Sequence, residues 1–163
     1  MAAATSGDDV APSPDGQLWS ALVAVYQTVL RDLVAALEQN AGIDSGVYSA
    51  LAYLERAETP GRLPLRTLQE LMQVRYSQPG FSRLVQRMEA EGLVERSRVR
   101  DDGRAFTVVL TRSGRARFRR ARAVYRAALH EHLGRHVAPA DAIRLAATLE
   151  KLATTLGAGA AAR

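Results

Sequence analysis

Ser77-Gln78-Pro79-Gly80-Phe81-Ser82-Arg83-Leu84-Val85, continued by Gln86 and Arg87, reads as a short helix with a polar face of Ser77, Gln78, Ser82, Arg83, Gln86 and Arg87. Gln and Arg each carry paired hydrogen-bonding groups that match base edges in a major groove, and Ser hydroxyls suit phosphates or base edges. Gly80 removes a side chain where the backbone can approach a duplex. About fifteen residues on lies a second basic group, a hairpin whose tip reads Arg100-Asp101-Asp102-Gly103-Arg104. Arg104, just past the Asp-Gly apex, is placed to enter a minor groove, where narrow A·T-rich DNA attracts guanidinium. Arg96, Arg98 and Arg100 would meet phosphates, and Asp102 can orient Arg104 through a charge-assisted hydrogen bond. A helix start beside an Arg-tipped ribbon suits duplex DNA held in two grooves at once.

The charge distribution points the same way. Between Arg75 and Arg122 stand 13 Arg against 5 acidic residues, a balance of +8, whereas the rest of the chain balances at −3, together the +5 of the whole. Such a block is the footprint of a polyanion partner. The bland alternative is a solvated Arg-rich face. Lys151 is the one lysine, so codon bias explains the choice of Arg over Lys, but it does not explain the clustering.

Other constellations are weaker. His132 and His136 have the i,i+4 spacing of metal ligands on a helix. Only His130 joins them and there is no cysteine, so a metal site would need carboxylates such as Glu131 or a partner chain, and interface or solvated histidines are the simpler reading. Absent cysteine also excludes disulfides and thiol redox sensing. Trp19, Tyr26, Tyr48 and Tyr53 could line a pocket for an aromatic ligand, with Arg31 pairing an anionic group. Aromatic residues at helical spacing more often serve a core or a dimer interface. No phosphate loop, activated nucleophile or acidic dyad is present, so neither enzymatic activity nor a cofactor is expected. The N-terminus lacks the basic and apolar regions of a signal peptide, and no apolar run suggests a membrane span, so a cytoplasmic protein is expected.

The elements that must position these groups follow from periodicity and caps. Residues 1–14 and 157–163 read as disordered tails around a single domain spanning 15–156. Leu18, Leu22, Val25, Val29, Leu33 and Leu37 give an amphipathic helix from about Asp15 to Asn40, ended by Ala41-Gly42. Asp44 or Ser45 caps a second helix to about Glu58, and Thr59-Pro60-Gly61 is a turn. Thr67-Leu68-Gln69-Glu70 has capping-box spacing and signals a short third helix ending near Val74 or Arg75. Ser77 caps the fourth, with Leu84, Val85 and Met88 inward and Gly92 at its end. Strands at Leu93–Val99 and Arg104–Leu110 follow, with a small strand near Leu63–Leu65 able to join them. Thr111 caps a fifth helix to roughly His136, and Pro139 starts a sixth. The fold class is therefore mainly α (α+β), a winged helix-turn-helix lobe at 44–111 carrying a small β-hairpin wing. Long N- and C-terminal dimerisation helices, 15–40 and 112–156, flank it.

These residues resemble the multiple-antibiotic-resistance regulator (MarR) family of bacterial transcription factors, from about Gln17 to Leu156. The segment Ser77–Val85 looks like that family's recognition helix, and Arg87–Arg96 like its exit into the wing. Asp102-Gly103-Arg104 through Leu110-Thr111 is similar to its Asp-x-Arg wing signature. Gly103 and a single Arg104 stand where many members have two basic residues. The resemblance implies a homodimer built from the first and last two helices and bound to a pseudo-palindromic operator. It also implies a small-molecule effector pocket between the dimerisation helices and the DNA-binding lobe. A repressor of this kind is the expected function. A non-specific architectural DNA binder and a winged-helix protein–protein adaptor are the alternatives.

Overall fold

The computed structural model describes residues 13–99 and 102–161, with side chains given throughout except at 99, 102–104 and 158–161. Helix α1 runs Pro14–Ala36 and continues as one π-helical turn, Leu37–Ala41. The Ser13 hydroxyl caps its start by accepting from the Gly16 N–H, and Gly42 closes its end in the left-handed region, φ 64°. Helix α2, Ser45–Arg56, begins where one Asp44 carboxylate oxygen accepts from the Gly46 and Val47 N–H groups at 2.8 and 2.9 Å. These are orphan donors at a helix start, and Asp is among the best residues to take them.

Strand β1, Arg62–Pro64, leads into α3, Leu65–Met72. The capping box expected at Thr67 is not formed. The helix starts three residues earlier, with Pro64 at the cap position, and Glu70 instead accepts from Arg66 Nε at 3.0 Å, one turn back. Burial explains the shift: Leu68 and Met72, four apart, are the positions that α3 places in the core. Helix α4, Gln78–Ala90, follows the turn and buries Phe81, Leu84, Val85 and Met88. Gly92, φ 67°, ends it.

Strands β2, Val94–Val99, and β3, Asp102–Leu110, form an antiparallel hairpin, and β1 pairs with the other edge of β3. The expected apex also moves. Val99 pairs with Asp102, so Asp102 and Gly103 open β3, and residues 100–101 between the strands lie outside the described residues. Arg98 pairs with Phe106, a register shift from the Val99–Asp102 pair that places the extra residues on β3. Helix α5, Arg112–Leu129, ends in a π-helical turn at His130–Gly134, and α6 runs Pro139–Ala161. The helix thus extends through part of the stretch read as a C-terminal tail. Gly157 weakens a helix, but the alanines after it are the best helix formers.

The core is apolar throughout. It joins Leu37, Val47, Leu51 and Leu54 to the buried faces of α3 and α4, to Leu93, Val94, Val108 and Leu110 of the sheet, and to Phe118 and Ala121 of α5. Among the described residues none of α6 belongs to it, and Ile143, Leu145, Leu149, Leu152 and Leu156 all stand exposed. On α1 only Leu33 is buried before the π turn, while Leu18, Trp19, Val25 and Tyr26 are exposed. Contrary to the sequence expectation, Pro14–Ala41 is long and apolar enough, by length and composition, to cross a membrane. Its charges are few, and only 11% of the most apolar stretch is buried.

Candidate nucleic-acid interface

Helix α4 divides cleanly into two faces. Phe81, Leu84, Val85 and Met88 point into the core, while Gln78, Ser82, Arg83 and Gln86 are exposed on the other side. The helix start is fixed by Ser77, whose hydroxyl accepts from the Gly80 N–H at 3.4 Å. That hydroxyl is committed to the cap. Tyr76 wedges the preceding turn against α2: a Cβ on Gly46 would fall 1.8 Å from the tyrosine oxygen, so the two segments touch at backbone distance.

Arg87 is held within the protein. Its guanidinium pairs with the Asp44 oxygen that does not cap α2, and Glu91 lies 4.0 Å from its Nε. Asp44 therefore ties the start of α2 to the recognition helix. Arg83, by contrast, has no ion-pair partner among the described residues and is exposed.

In the wing, Glu89 engages Arg96 side-on, with 2.8 Å from Nε to one carboxylate oxygen and 2.8 Å from Nη2 to the other. The Arg96 and Arg98 guanidinium carbons lie 6.0 and 5.8 Å from the Phe106 ring centroid, within cation–π range. The Asp102–Arg104 contact expected at the tip, and Arg100, lie outside what is described: residue 100 entirely, and the side chains of 102 and 104.

Several arginines of the basic block serve the fold. Arg75 donates to the Ser49 hydroxyl at 3.1 Å. Arg115 reaches Glu55 at 3.0 Å and the Pro60 carbonyl at 3.2 Å. Arg117 and Arg120 both donate to the Ala41 carbonyl, at 3.1 and 3.5 Å, where α1 ends. Cations suit orphan carbonyls at a helix C-terminus. Sequence reading counted these residues toward a polyanion partner and missed their internal partners, as it missed Glu89 and Asp44 as partners of Arg96 and Arg87.

The candidate pocket residues are not gathered. Tyr48 stacks on Tyr125 at 4.6 Å between ring centroids and lies 5.6 Å from Phe118, at the edge of the core, and burial pushes its phenol up. Trp19 and Tyr26 stand exposed on α1, seven residues apart and so on one face, and Tyr53 is exposed on α2. Arg31 pairs with its neighbour Asp32 at 3.0 Å, which holds that carboxyl below the usual range. His132 lies 3.6 Å from the same carboxylate. His136 falls beyond the π turn, outside the helix, so the i,i+4 premise of a metal pair fails. Among the described residues no group of three potential ligands forms a metal site.

A short helix, a tight turn, a second helix with an exposed polar face and an antiparallel hairpin rooted at its end define a winged helix-turn-helix. The MarR family model matches residues 41–105, from the end of α1 into the wing. No curated protein matches the chain. Among solved structures it is similar to AbsC, a MarR family transcriptional regulator from Streptomyces coelicolor, at 26% identity and a TM-score of 0.75, covering 90% of this chain and 97% of that one. It shares its fold with Sco3205, a MarR family regulator from the same organism in complex with DNA, at 24% identity, a TM-score of 0.74 and coverage of 88% and 89%. It also shares it with the organohalide-sensing RdhR regulator in its 2,4-dichlorophenol-bound form, at 17% identity, a TM-score of 0.73 and coverage of 95% and 89%. Residues 41–105 match the MarR family model, and the chain as a whole is similar in fold to MarR family transcriptional regulators.

Proposed function

We propose that the chain is a cytoplasmic, homodimeric transcriptional repressor that binds a pseudo-palindromic operator and is released by a small aromatic ligand. The observation that carries the DNA-reading part is the exposed row Gln78, Ser82, Arg83 and Gln86, opposite a fully apolar buried face on one helix. In this reading α4 lies in the major groove with Arg83 and the two glutamines at base edges. Ser77 and Arg87 border the groove, Arg104 of the wing enters the adjacent minor groove beside Asp102, and Arg98 and Arg100 lie near phosphates.

The dimer reading is supported by exposed apolar residues on α1 and α6, which a second copy would cover. A two-fold dimer places its recognition helices about 34–36 Å apart, one turn of B-DNA. It also gives the apolar stretch of α1 a protein surface to face in place of a bilayer. The effector reading leans on the bound 2,4-dichlorophenol of the organohalide-sensing neighbour. A ligand that favours a dimer with mis-spaced recognition helices would release DNA by population shift.

The test is selection of bound duplexes from a random pool, followed by titration of variants on the selected site. Arg83→Ala is expected to cost about 1–3 kcal/mol and to relax the preference at one base pair. Arg104→Ala is expected to weaken binding while leaving the dimer intact. Wild-type affinity in both variants, or selection that returns no preferred sequence, overturns the reading.

A further inference from the structure

Acidic side chains on a DNA-binding lobe repel the phosphates they approach, so a carboxylate retained there calls for a physical reason. Glu89 is such a residue, in the last turn of the recognition helix. It holds the Arg96 guanidinium through two parallel 2.8 Å hydrogen bonds, and its own side chain is only 25% exposed. The pair joins two elements of the interface, the recognition helix and strand β2.

Strand register shows which side of the wing is involved. Arg96 pairs across the hairpin with Val108 and Arg98 with Phe106, so these four side chains share one face of the ribbon with buried Val94. Glu95 and Ser97 occupy the other face and are exposed. The face toward α4 thus begins as core at Val94 and Val108. It continues outward as a charged and aromatic layer, with Glu89 gripping Arg96 and Phe106 in reach of both Arg96 and Arg98. A two-stranded ribbon is marginally stable alone, and a wing that had to be ordered on binding would lose affinity to that ordering.

We propose that Glu89 is a positioning residue for DNA binding: through Arg96 it sets the angle of the wing on the recognition helix, so that both probes reach their grooves together. Arg96 then acts inside the protein and is not a phosphate contact. The bidentate fork makes the pair directional, which a lysine could not reproduce. The inference rests on the two-groove reading above.

The experiment uses the full chain and the duplex it selects from a random pool, with affinity measured across a salt series. Charge alone predicts that Glu89→Gln binds more tightly, because a negative charge near phosphates is removed. Positioning predicts the opposite sign, a loss of about tenfold, the size expected of coupled neighbours. Arg96→Lys keeps the charge and is expected to lose affinity to a similar extent. Its salt slope should stay at the wild-type value, and so should that of Arg96→Gln, whereas loss of a phosphate contact lowers the slope by about one. The double variant Glu89→Gln with Arg96→Gln should bind no more weakly than either single one. Thermal melts of each variant, with titrations held well below the midpoint, separate a binding effect from unfolding. Unchanged or tighter binding by Glu89→Gln, or Arg96→Lys at wild-type affinity, overturns the proposal. Arg104→Ala serves as the reference. If it loses affinity while Glu89→Gln does not, the positioning role falls and the two-groove reading stands. If neither loses affinity, the two-groove reading fails and takes the positioning role with it.

Discussion

Thr111 closes the root of the wing with one side chain. Its hydroxyl accepts from the Gly114 N–H at 2.9 Å and lies 2.7 and 3.1 Å from the Gly92 and Leu93 carbonyls, while its own N–H donates to Leu93 at 3.1 Å. Gly114 makes this approach possible. A Cβ there would sit 2.0 Å from the Leu93 carbonyl oxygen, a backbone atom that cannot swing away as a side chain would. Gly114→Ala is therefore expected to destabilise the fold by about 1–3 kcal/mol or more, as overpacking does. The urea midpoint should fall with the m-value unchanged. A change within about 0.5 kcal/mol, the range of a neutral surface substitution, would contradict the geometry. At this scale the caps were legible in the sequence: Asp44, Ser77 and Thr111 are short polar residues immediately before apolar-periodic runs, and a cap is a local interaction. The clamps were not. Arg87 meets Asp44 across 43 positions, and Arg117 meets Ala41 across 76, and an Arg bound to a distant carbonyl looks in sequence like one that is solvated.

Elements were legible where one local signal dominated and blurred where two competed. The first, fourth and sixth helices begin where Pro and Ser or Pro alone indicate a start. The third does not, because Thr67 and Glu70 offer a capping box that burial of Leu68 and Met72 overrides. The wing's turn was misplaced because Asp102-Gly103 is the stronger local turn signal, whereas the strand pairing brackets residues 100–101. The junction between α1 and α2 shows how elements are joined. Gly42 turns the chain, Arg117 and Arg120 cover the Ala41 carbonyl, and Asp44 divides its two oxygens between the α2 start and Arg87 on α4. The two duties can be separated. Asp44→Ala removes both and should cost about 1–2 kcal/mol, most of it from the lost cap. Asp44→Asn keeps an acceptor for the Gly46 and Val47 N–H groups and should cost about 0.5 kcal/mol, since the ion pair is partly exposed. Chemical denaturation of both variants checks the order. Equal losses would mean that the link to Arg87, not the cap, sustains the junction.

At the scale of the whole molecule, the chain divides into a packed lobe and two long helices with little to pack on. The lobe's core is apolar and continuous, but among the described residues α6 contributes nothing to it and most of α1 stands outside it. A helix of this length gains most of its stability from an apolar face buried against something. On α6 that face is Leu145, Leu149, Leu152 and Leu156, spaced four, three and four residues apart, the repeat of a helix seam. On α1 the exposed Leu18, Trp19, Val25 and Tyr26 repeat at seven. The sequence carried this signal as amphipathicity, and the arrangement of the chain sharpens it, because both faces stand exposed among the described residues. If a second copy covers them, Leu149→Glu combined with Leu152→Glu places charges in the seam without touching the lobe's core. The variant is expected to sediment as a monomer. Its α6 should lose helicity by circular dichroism, and its affinity for a two-half-site duplex should collapse toward that for a single half-site. The wild-type melting temperature should rise with protein concentration, as linkage to association requires, and the variant's should not. A variant that remains dimeric at micromolar concentration would move the interface away from α6 and leave α1, with its apolar stretch from Pro14 to Ala41, to form it without α6.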